Sequence, residues 1–336
     1  MTKLAIVILN WNGKRFLSEF LPSLIRFAPA YSEIIIADNA SSDHSVAFLK
    51  TNFPSIKIIQ NRENGGFSKG YNDALKQVEA EYYCLLNSDV EVTENWIEPI
   101  INILDNQSEV AVVQPKILSY SNRKQFEYAG ACGGFIDFLG YPFCRGRFFE
   151  CLEEDEGQYN DATEVFWATG AALFVRSSIY HTLNGLDEDF FAHMEEIDFC
   201  WRAKNLGYKI MVEPKSVVYH VGGGTLPKKN SKKTYLNFRN NWFLLLKNLP
   251  KHKMLKVFLL RFPLDHIAAL FFFAQGHYRD TWAVYRAQLS CLKQFGKIKQ
   301  KRNIINEQVY KETFQNSIVF EHYLKGKSKF DGKKLL

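Results

Sequence analysis

Four short apolar runs, separated by segments with helical spacing, most strongly constrain how the first 115 residues fold. The apolar runs cover residues 4–9, 33–37, 55–59 and 82–86, and the segments with helical spacing cover 15–28, 43–52 and 68–79. Strands that alternate with helical crossovers of this length are typical of a parallel sheet with helices on both faces. The sequence therefore predicts an α/β fold with a mostly parallel, doubly wound, Rossmann-like sheet.

Polar residues follow each of these predicted strands directly. In chain order they are Asn10 and Asn12, then Asp38, Asn39 and Ser41, then Asn64, Gly65 and Gly66, and finally Asn87, Ser88 and Asp89. In an open α/β sheet the ligand lies at the carboxyl ends of the strands, so these residues predict a binding site. The glycine turn is neither a P-loop nor G-x-G-x-x-G, which argues against an NTPase and against a dinucleotide dehydrogenase.

Two carboxylates in this set suit different tasks. Asp89 can hold a divalent cation, because Mg²⁺ and Mn²⁺ prefer oxygen ligands. For an isolated Asn-x-Asp the alternative is a turn cap. Asp38 ends an Ile-rich strand, where a carboxylate can accept hydrogen bonds from a nucleobase or a ribose hydroxyl.

A second group of carboxylates lies next to a predicted helix. Glu195, Glu196 and Asp198 precede or begin a helix predicted over 198–206. A carboxylate in this position can act as a general base if it reaches a substrate hydroxyl. Acidic residues are also common at helix starts for electrostatic reasons alone.

His220 is a further candidate. It follows two short predicted strands, 209–212 and 216–219, and precedes three glycines that suit a loop closing over a ligand. Its imidazole could bind the same metal ion as Asp89. The preceding region contains mixed strands and loops over 115–165 and an apolar strand predicted over 165–176.

Charge is divided unevenly along the chain. Residues 1–227 carry 19 basic and 30 acidic side chains, a net charge of −11, whereas residues 228–336 carry 23 basic and 6 acidic side chains, a net charge of +17. The division predicts two regions with different partners. We place one domain at 1–227, with halves at about 1–115 and 116–227, and a basic helical region at 228–336.

The basic region is also rich in Phe and Leu. Charged residues and Pro263 interrupt its apolar stretch 254–275, so its longest uncharged run is about ten residues, short of the roughly 18 of a spanning helix. We expect an interfacial helix on an anionic membrane, with a buried packing surface as the alternative. The aromatic residues are not spaced among basic ones as stacking platforms, so no nucleic-acid partner is expected.

The six cysteines include no Cys-x-x-Cys pair. Neither a disulfide framework nor a zinc site is expected, and a reducing, cytoplasmic location follows.

Eight segments in this order resemble a known family: VILNWNG, IIIADNASSD, NGGFSKGYNDAL, YYCLLNSDVEV, FWATGAALFVRSS, LDEDFFAHMEEIDFCWR, GYKI and VVYHVGGGT. Over about residues 3–224 the chain resembles the family 2 glycosyltransferases of the GT-A fold, in the rhamnosyltransferase-like branch. The resemblance implies inverting transfer of a sugar from a dTDP-, UDP- or GDP-sugar to an acceptor hydroxyl, with Mn²⁺ or Mg²⁺ as cofactor. It further implies a glycan or lipid-linked acceptor in bacterial cell-surface polysaccharide or glycolipid synthesis, at the inner face of the membrane.

The resemblance also implies roles for individual residues. The nucleotide-sugar site comprises Asn10, Asn12, Asp38, Asn39, Ser41, Gly66, Phe67, Asn72, Asn87 and Ser88. The metal ligands are Asp89 and His220. The base is Glu196, with Asp198 as a supporting carboxylate.

Two positions depart from the family pattern. Asn87 replaces the first Asp of the Asp-x-Asp element, and Glu196 replaces an Asp, so Glu195 is the alternative base. The Gln-x-x-Arg-Trp element of processive synthases is absent, which favours a single transfer. A nucleotidyltransferase of similar fold and a non-catalytic sugar-nucleotide binding module are the alternative functions.

Overall fold

The strands and helices of the first half alternate as the apolar pattern predicts. The structure is a computed structural model and describes residues 2–222, 230–302 and 304–330. The elements up to residue 119 are β1 Thr2–Asn10, α1 Lys14–Phe27, β2 Ser32–Asp38, α2 Ser45–Asn52, β3 Lys57–Gln60, α3 Gly66–Leu75, β4 Ala80–Asn87, β5 Val90–Val92, α4 Glu98–Asn106 and β6 Val110–Ser119.

The second half contains shorter strands and then long helices. The elements up to residue 220 are β7 Gly134–Ile136, β8 Pro142–Cys144, β9 Arg147–Phe148, β10 Cys151–Leu152, β11 Thr163–Val165, β12 Ala172–Arg176, α5 Ser177–Thr182, a 3₁₀ turn Glu188–Phe190, α6 Glu195–Asn205 and β13 Lys209–His220. The later helices are α7 Ser231–Asn248, α8 Lys251–Ala274, α9 Tyr278–Gln300, α10 Glu307–Lys311 and α11 Ile318–Tyr323.

The main sheet has the strand order β11-β13-β6-β12-β4-β1-β2-β3, and β5 pairs with β13. Strands β3, β2, β1 and β4 are parallel neighbours, as are β6 and β13, whereas β12 runs antiparallel between β4 and β6. The predicted mostly parallel, doubly wound α/β fold is confirmed. The carboxyl ends of β1, β2 and β4 therefore meet at one edge of the sheet.

Hydrophobic residues cover both faces of this sheet, which is why its central strands are apolar along their whole length. On one face the strands pack against α1, α2 and α4, with Leu17, Leu49 and Leu104 fully buried. On the other face they pack against α3, α5, α6 and α7. The six cysteines are all free.

Two predicted strand boundaries are wrong. Of the strand predicted over 165–176, only residues 172–176 form β12; residue 165 ends β11, and residues 166–171 lie between the two strands, where several line a cavity described below. The two short strands predicted at 209–212 and 216–219 form one strand, β13, whose register shifts between Glu213 and Val217. Pro214 lies in this irregular stretch; since proline cannot donate a ladder hydrogen bond, it is tolerated at such a bulge.

The C-terminal helices pack closely against the rest of the chain. Helix α7 is buried along much of its length and contacts α6 and α9. The final segment reaches the small antiparallel sheet β7–β10, where the ring of Phe143 contacts those of Phe314 and Phe330. The predicted domain boundary at 227/228 lies outside the described residues, as do Gly223 and Gly224 of the predicted closing loop, and the domain division stays a prediction.

Candidate active site

A cavity of about 580 Å³ opens at the carboxyl ends of the central strands. Nine of the predicted site residues line it: Asn39, Gly66, Phe67, Asn87, Ser88, Asp89, Glu195, Glu196 and His220. The position agrees with the rule that α/β sheets bind ligands at this edge.

Four further predicted residues form a polar cluster at the ends of β1 and β2, beside the cavity. The buried amide of Asn10 donates to Asp38 Oδ1 at 3.0 Å and to Ser41 Oγ at 3.1 Å. The backbone N–H of Asn12 donates to the same Ser41 hydroxyl at 2.9 Å. Asn10 Oδ1 is buried without a hydrogen-bond partner among the described residues. These contacts fix the loop that carries Trp11, which does line the cavity.

The glycine turn packs closely against the loop before α6. The Phe67 N–H donates to the carbonyl of Phe191 at 2.6 Å, and a Cβ at Gly66 would lie 2.5 Å from that same oxygen. Gly66 has a φ of 79°, a left-handed conformation that glycine adopts without strain. The close backbone approach is therefore to the loop before α6, and Gly66 still lines the cavity.

The last two predicted site residues, Asn72 and Asp198, contact neighbouring elements of the protein and do not line the cavity, and their roles stay predictions. Asn72 donates to the Leu186 carbonyl at 2.8 Å and accepts from the Tyr180 hydroxyl at 2.7 Å. Asp198 is fully buried and pairs with Arg202 and Lys247, both at 2.8 Å.

The surroundings of Asp198 follow from its ion pairs. The helix starts at Glu195, three residues earlier than predicted. At about 100° per residue, Asp198 is roughly 200° from Glu196 but only about 60° from Glu195, so rotation alone does not take it off the cavity wall. Its carboxylate instead pairs with Arg202 and Lys247.

A histidine between two carboxylates lies on one wall of the cavity. His220 Nε2 is 3.2 Å from Asp89 Oδ1, and Nδ1 is 3.3 Å from Glu127 Oε2. Burial alone would lower the pKa of His220, but Asp89 and Glu127 raise it to about 10. Burial likewise opposes ionisation of Glu127, yet His220 holds the pKa of that carboxyl below its usual range.

Asp89 and His220 can act together on a cation. Their donor atoms are an oxygen and an imidazole nitrogen within hydrogen-bond distance, and both face the cavity. Within the described part of the chain, no group of three or more His, Cys, Asp or Glu side chains has a metal-binding arrangement. The pair fits a Mg²⁺ or Mn²⁺ site of the type that takes its remaining ligands from substrate phosphates and water, with the ion displacing the proton that Asp89 and Glu127 stabilise on His220 in the metal-free protein.

Burial raises the pKa of both carboxylates at the start of α6. The pKa of Glu196 is raised to about 7. Burial, with the neighbouring charge of Glu196, raises the pKa of Glu195 well above its usual range. Each has an Oε2 atom without a hydrogen-bond partner in the described structure. Near pH 8 Glu196 is therefore ionised, as a general base must be.

The loop before α6 is strained and is held in place by α7. Phe191, His193 and Met194 all have positive φ, which costs energy for residues other than glycine. The Asn240 amide of α7 donates to the carbonyls of Phe190, Ala192 and His193 at 2.9, 2.8 and 2.7 Å. The C-terminal helices therefore help to position the carboxylates of α6.

The cavity residues that were not predicted from the sequence include three with ionisable side chains, Glu127, Arg147 and His193. Glu127 and Arg147 come from the irregular region 115–165, which has no periodicity to indicate which side chains face inward. His193 is partly exposed, but its Nε2 is buried without a hydrogen-bond partner among the described residues, and desolvation lowers its pKa to about 4. Its position beside Glu195 was the only available signal.

The model of glycosyl transferase family 2 matches residues 5–173, half of the chain. The protein therefore belongs to glycosyltransferase family 2, an assignment that favours sugar transfer over the nucleotidyltransferase and binding-module alternatives.

Two relatives illustrate the range of the match. A hexosyltransferase of low-salt glycan biosynthesis from Haloferax volcanii is 23% identical over 247 residues, which are 71% of this chain and 74% of the relative. An N-acetylglucosaminyl-diphospho-decaprenol L-rhamnosyltransferase from Mycobacterium tuberculosis is 22% identical over 233 residues, 65% of this chain and 75% of the relative.

Solved structures share the fold. The crystal structure of S. aureus TarS 1–349 with UDP has a TM-score of 0.52 at 17% identity, and the match covers 97% of this chain and 92% of that one. The mannosyltransferase PcManGT from Pyrobaculum calidifontis, with GDP-Man and Mn²⁺, has a TM-score of 0.52 at 11% identity and coverages of 97% and 88%. The predicted GT-A fold is confirmed.

Proposed function

We propose that the protein is an inverting, metal-dependent glycosyltransferase that moves a sugar from a nucleoside-diphosphate donor to an acceptor hydroxyl. The observation that carries this proposal is the cavity at the strand ends, which places the Asp89–His220 pair and the carboxylate of Glu196 on the walls of one space. The donor is a UDP-, dTDP- or GDP-sugar. Relatives named for rhamnosyl and hexosyl transfer, and structures crystallised with UDP and GDP-Man, support this donor class.

Asp89 and His220 are the residues that would hold Mn²⁺ or Mg²⁺. When bound, such an ion stabilises the negative charge that develops on the diphosphate leaving group. Glu127 contacts the other nitrogen of His220 and so orients the imidazole toward Asp89. On the nucleotide side, the hydrogen-bonded cluster of Asn10, Asp38 and Ser41 presents fixed polar atoms next to the cavity.

Glu196 is the proposed base. Its raised pKa lies close to neutral pH, where a base is both ionised and strong enough to accept a proton. It takes the proton of the acceptor hydroxyl as that oxygen attacks the anomeric carbon from the side opposite the diphosphate. A single displacement of this kind inverts the anomeric centre, whereas retention would need a second, nucleophilic carboxylate.

The protein is further proposed to act at the inner face of a cell membrane, in synthesis of a bacterial surface polysaccharide or glycolipid. The support for this location is helix α8. Of the described helices, one, Lys251–Ala274, is long and apolar enough to cross a membrane by length and composition, and 22% of that stretch is buried. Leu255, Leu259, Leu270 and Phe271 are more than half exposed. With its apolar face outward and lysines nearby, α8 suits the surface of an anionic bilayer.

A thermal-shift screen tests the donor assignment. UDP-, dTDP- and GDP-sugars are added to the protein with and without Mn²⁺, and a preferred donor should raise Tm more when Mn²⁺ is present. Asp89→Asn should remove the Mn²⁺ effect. If none of the donors raises Tm under either condition, the proposed donor site is wrong.

A further inference from the structure

Arg147 is a buried cation on the wall of the cavity. It lies on β9, is 6% exposed and faces the same space as Glu196 and His220. Its hydrogen bonds are long: Nη1 donates to the Phe149 carbonyl at 3.4 Å and Nη2 to Cys144 Sγ at 3.5 Å. Its Nε has no hydrogen-bond partner among the described residues.

No carboxylate of the described residues lies within ion-pair distance of this guanidinium. The ring of Tyr128 lies 4.5 Å from it. Burial raises the pKa of both Tyr128 and Cys144, so neither neighbour carries a compensating negative charge at neutral pH. Glu150 is exposed, accepts from the Tyr128 hydroxyl at 3.2 Å and acts on Arg147 only from a longer distance.

Arg145, two residues earlier, is a buried arginine whose charge and N–H groups do have partners within the protein. It is 5% exposed, pairs with Asp161 at 3.0 Å and donates Nε to the Cys132 carbonyl at 3.0 Å. It does not line the cavity. A buried charge without such a partner is unfavourable unless a ligand supplies the opposite charge.

The position of Arg147 indicates which ligand carries that charge. The residue comes from the small sheet, whereas the Asp89–His220 pair, proposed to meet the donor diphosphate, lies at strand ends of the main sheet. The same cavity is lined by Arg261, on the buried face of α8, and by Ile318 of α11. One wall of the cavity therefore includes the helix whose opposite, exposed face is proposed to meet the membrane.

We propose that Arg147 is an anion subsite that binds a phosphate group of the acceptor, so that the acceptor is a lipid-linked phosphate or diphosphate. The inference rests on the proposed transferase function and specifies its acceptor. A guanidinium is well suited to this task, because its planar N–H groups can bind phosphate oxygens in pairs.

Binding of a short lipid diphosphate tests the subsite directly. The protein is first saturated with Mn²⁺ and whichever of UDP, dTDP and GDP raises Tm most, which fills the donor site. Farnesyl diphosphate, inorganic pyrophosphate and farnesol are then titrated by calorimetry. We expect farnesyl diphosphate to bind and Arg147→Met to weaken that binding at least tenfold, with Arg147→Lys in between. Binding of pyrophosphate indicates recognition of phosphate alone, and its failure to bind indicates that the lipid chain is also needed.

Arg145→Lys is the matched control, since it alters an equally buried arginine two residues away and should leave farnesyl diphosphate affinity unchanged. Arg147→Met should also keep or raise the Tm of the free protein, because it removes a buried charge without a partner. A fall in Tm comparable to that of Arg145→Lys would assign Arg147 a structural role and overturn the proposal.

Two binding results would also overturn it. One is equal binding of farnesol and farnesyl diphosphate. The other is a loss of nucleotide affinity in Arg147→Met without a loss of farnesyl diphosphate affinity, which would place Arg147 in the donor site. If no nucleotide shifts Tm, the donor assignment fails, and titration of the free protein with farnesyl diphosphate still decides the role of Arg147.

Discussion

Replacing Glu196 by glutamine should abolish turnover. It should also stabilise the folded protein, by an amount that depends on pH. Burial raises the pKa of this carboxyl from 4.5 to about 7. Each pKa unit corresponds to about 1.4 kcal/mol, so keeping Glu196 ionised in the folded protein costs on the order of 3 kcal/mol above pH 7.

The direction in which stability changes with pH follows from the raised pKa of the Glu196 carboxyl. Below pH 4.5 the carboxyl is protonated in both the folded and the unfolded protein, and no penalty arises. Between pH 4.5 and about 7 the unfolded chain loses the proton first, so the wild type loses stability as the pH rises through this window. Glu196→Gln has no ionisable group at this position and avoids that loss.

Thermal denaturation at pH 4.5 and pH 8 measures the effect. With about 2.1 cal/mol/K of unfolding entropy per residue, a chain of 336 residues gains roughly 4 °C in Tm from about 3 kcal/mol. We expect Glu196→Gln to match the wild type at pH 4.5 and to exceed it by about 4 °C at pH 8, with donor binding kept and transfer lost.

Glu195→Gln is the matched control. Burial and the charge of Glu196 also raise the pKa of Glu195, so Glu195→Gln should likewise gain stability relative to the wild type at high pH, but it should keep more turnover than Glu196→Gln. If Glu195→Gln loses more turnover than Glu196→Gln, the two roles are reversed. Full transferase activity in Glu196→Gln would refute the base assignment.

Three other changes test separate parts of the structure. The rate of transfer should rise with pH through about 7 in the wild type, because Glu196 must lose its proton to act as base; a flat profile of kcat between pH 6 and 8 would contradict this. Lys247→Met should reduce the free energy of unfolding by about 1–3 kcal/mol, since it removes one of the cationic partners of Asp187 and of Asp198 and leaves Lys301 and Arg202 as the others, and chemical denaturation measures it. The double variant Leu259→Glu/Phe271→Glu on the exposed face of α8 should lower binding to anionic vesicles at least tenfold while leaving Tm unchanged; retained binding would exclude this face as the membrane contact.

The main sheet and the strand-end site could be predicted because both depend on local patterns. An apolar run marks a buried strand, and the polar residue that follows it marks the sheet edge, so Asn87, Ser88 and Asp89 were found without tertiary information. His220 was found for the same reason, at the end of β13.

Residues whose orientation depends on packing were not predictable in this way. Asp198 was grouped with Glu195 and Glu196, but its carboxylate pairs with Arg202 and with Lys247 of the distant helix α7 and does not line the cavity. Glu127 and Arg147 reach the cavity from short, irregular strands and turns, whose course is set by contacts with distant segments such as Phe314 and Phe330. No spacing in the sequence encodes those contacts.

The sequence by itself determined that this protein has an acidic part and a basic part, with net charges of −11 and +17. Only the tertiary structure decided that some of these charges pair with one another. Asp187 and Asp198 both contact Lys247, and Asp187 also pairs with Lys301, so the basic helices neutralise buried carboxylates of the transferase fold. Composition counts charges, but their energy depends on distance and burial, which exist only after the chain has folded.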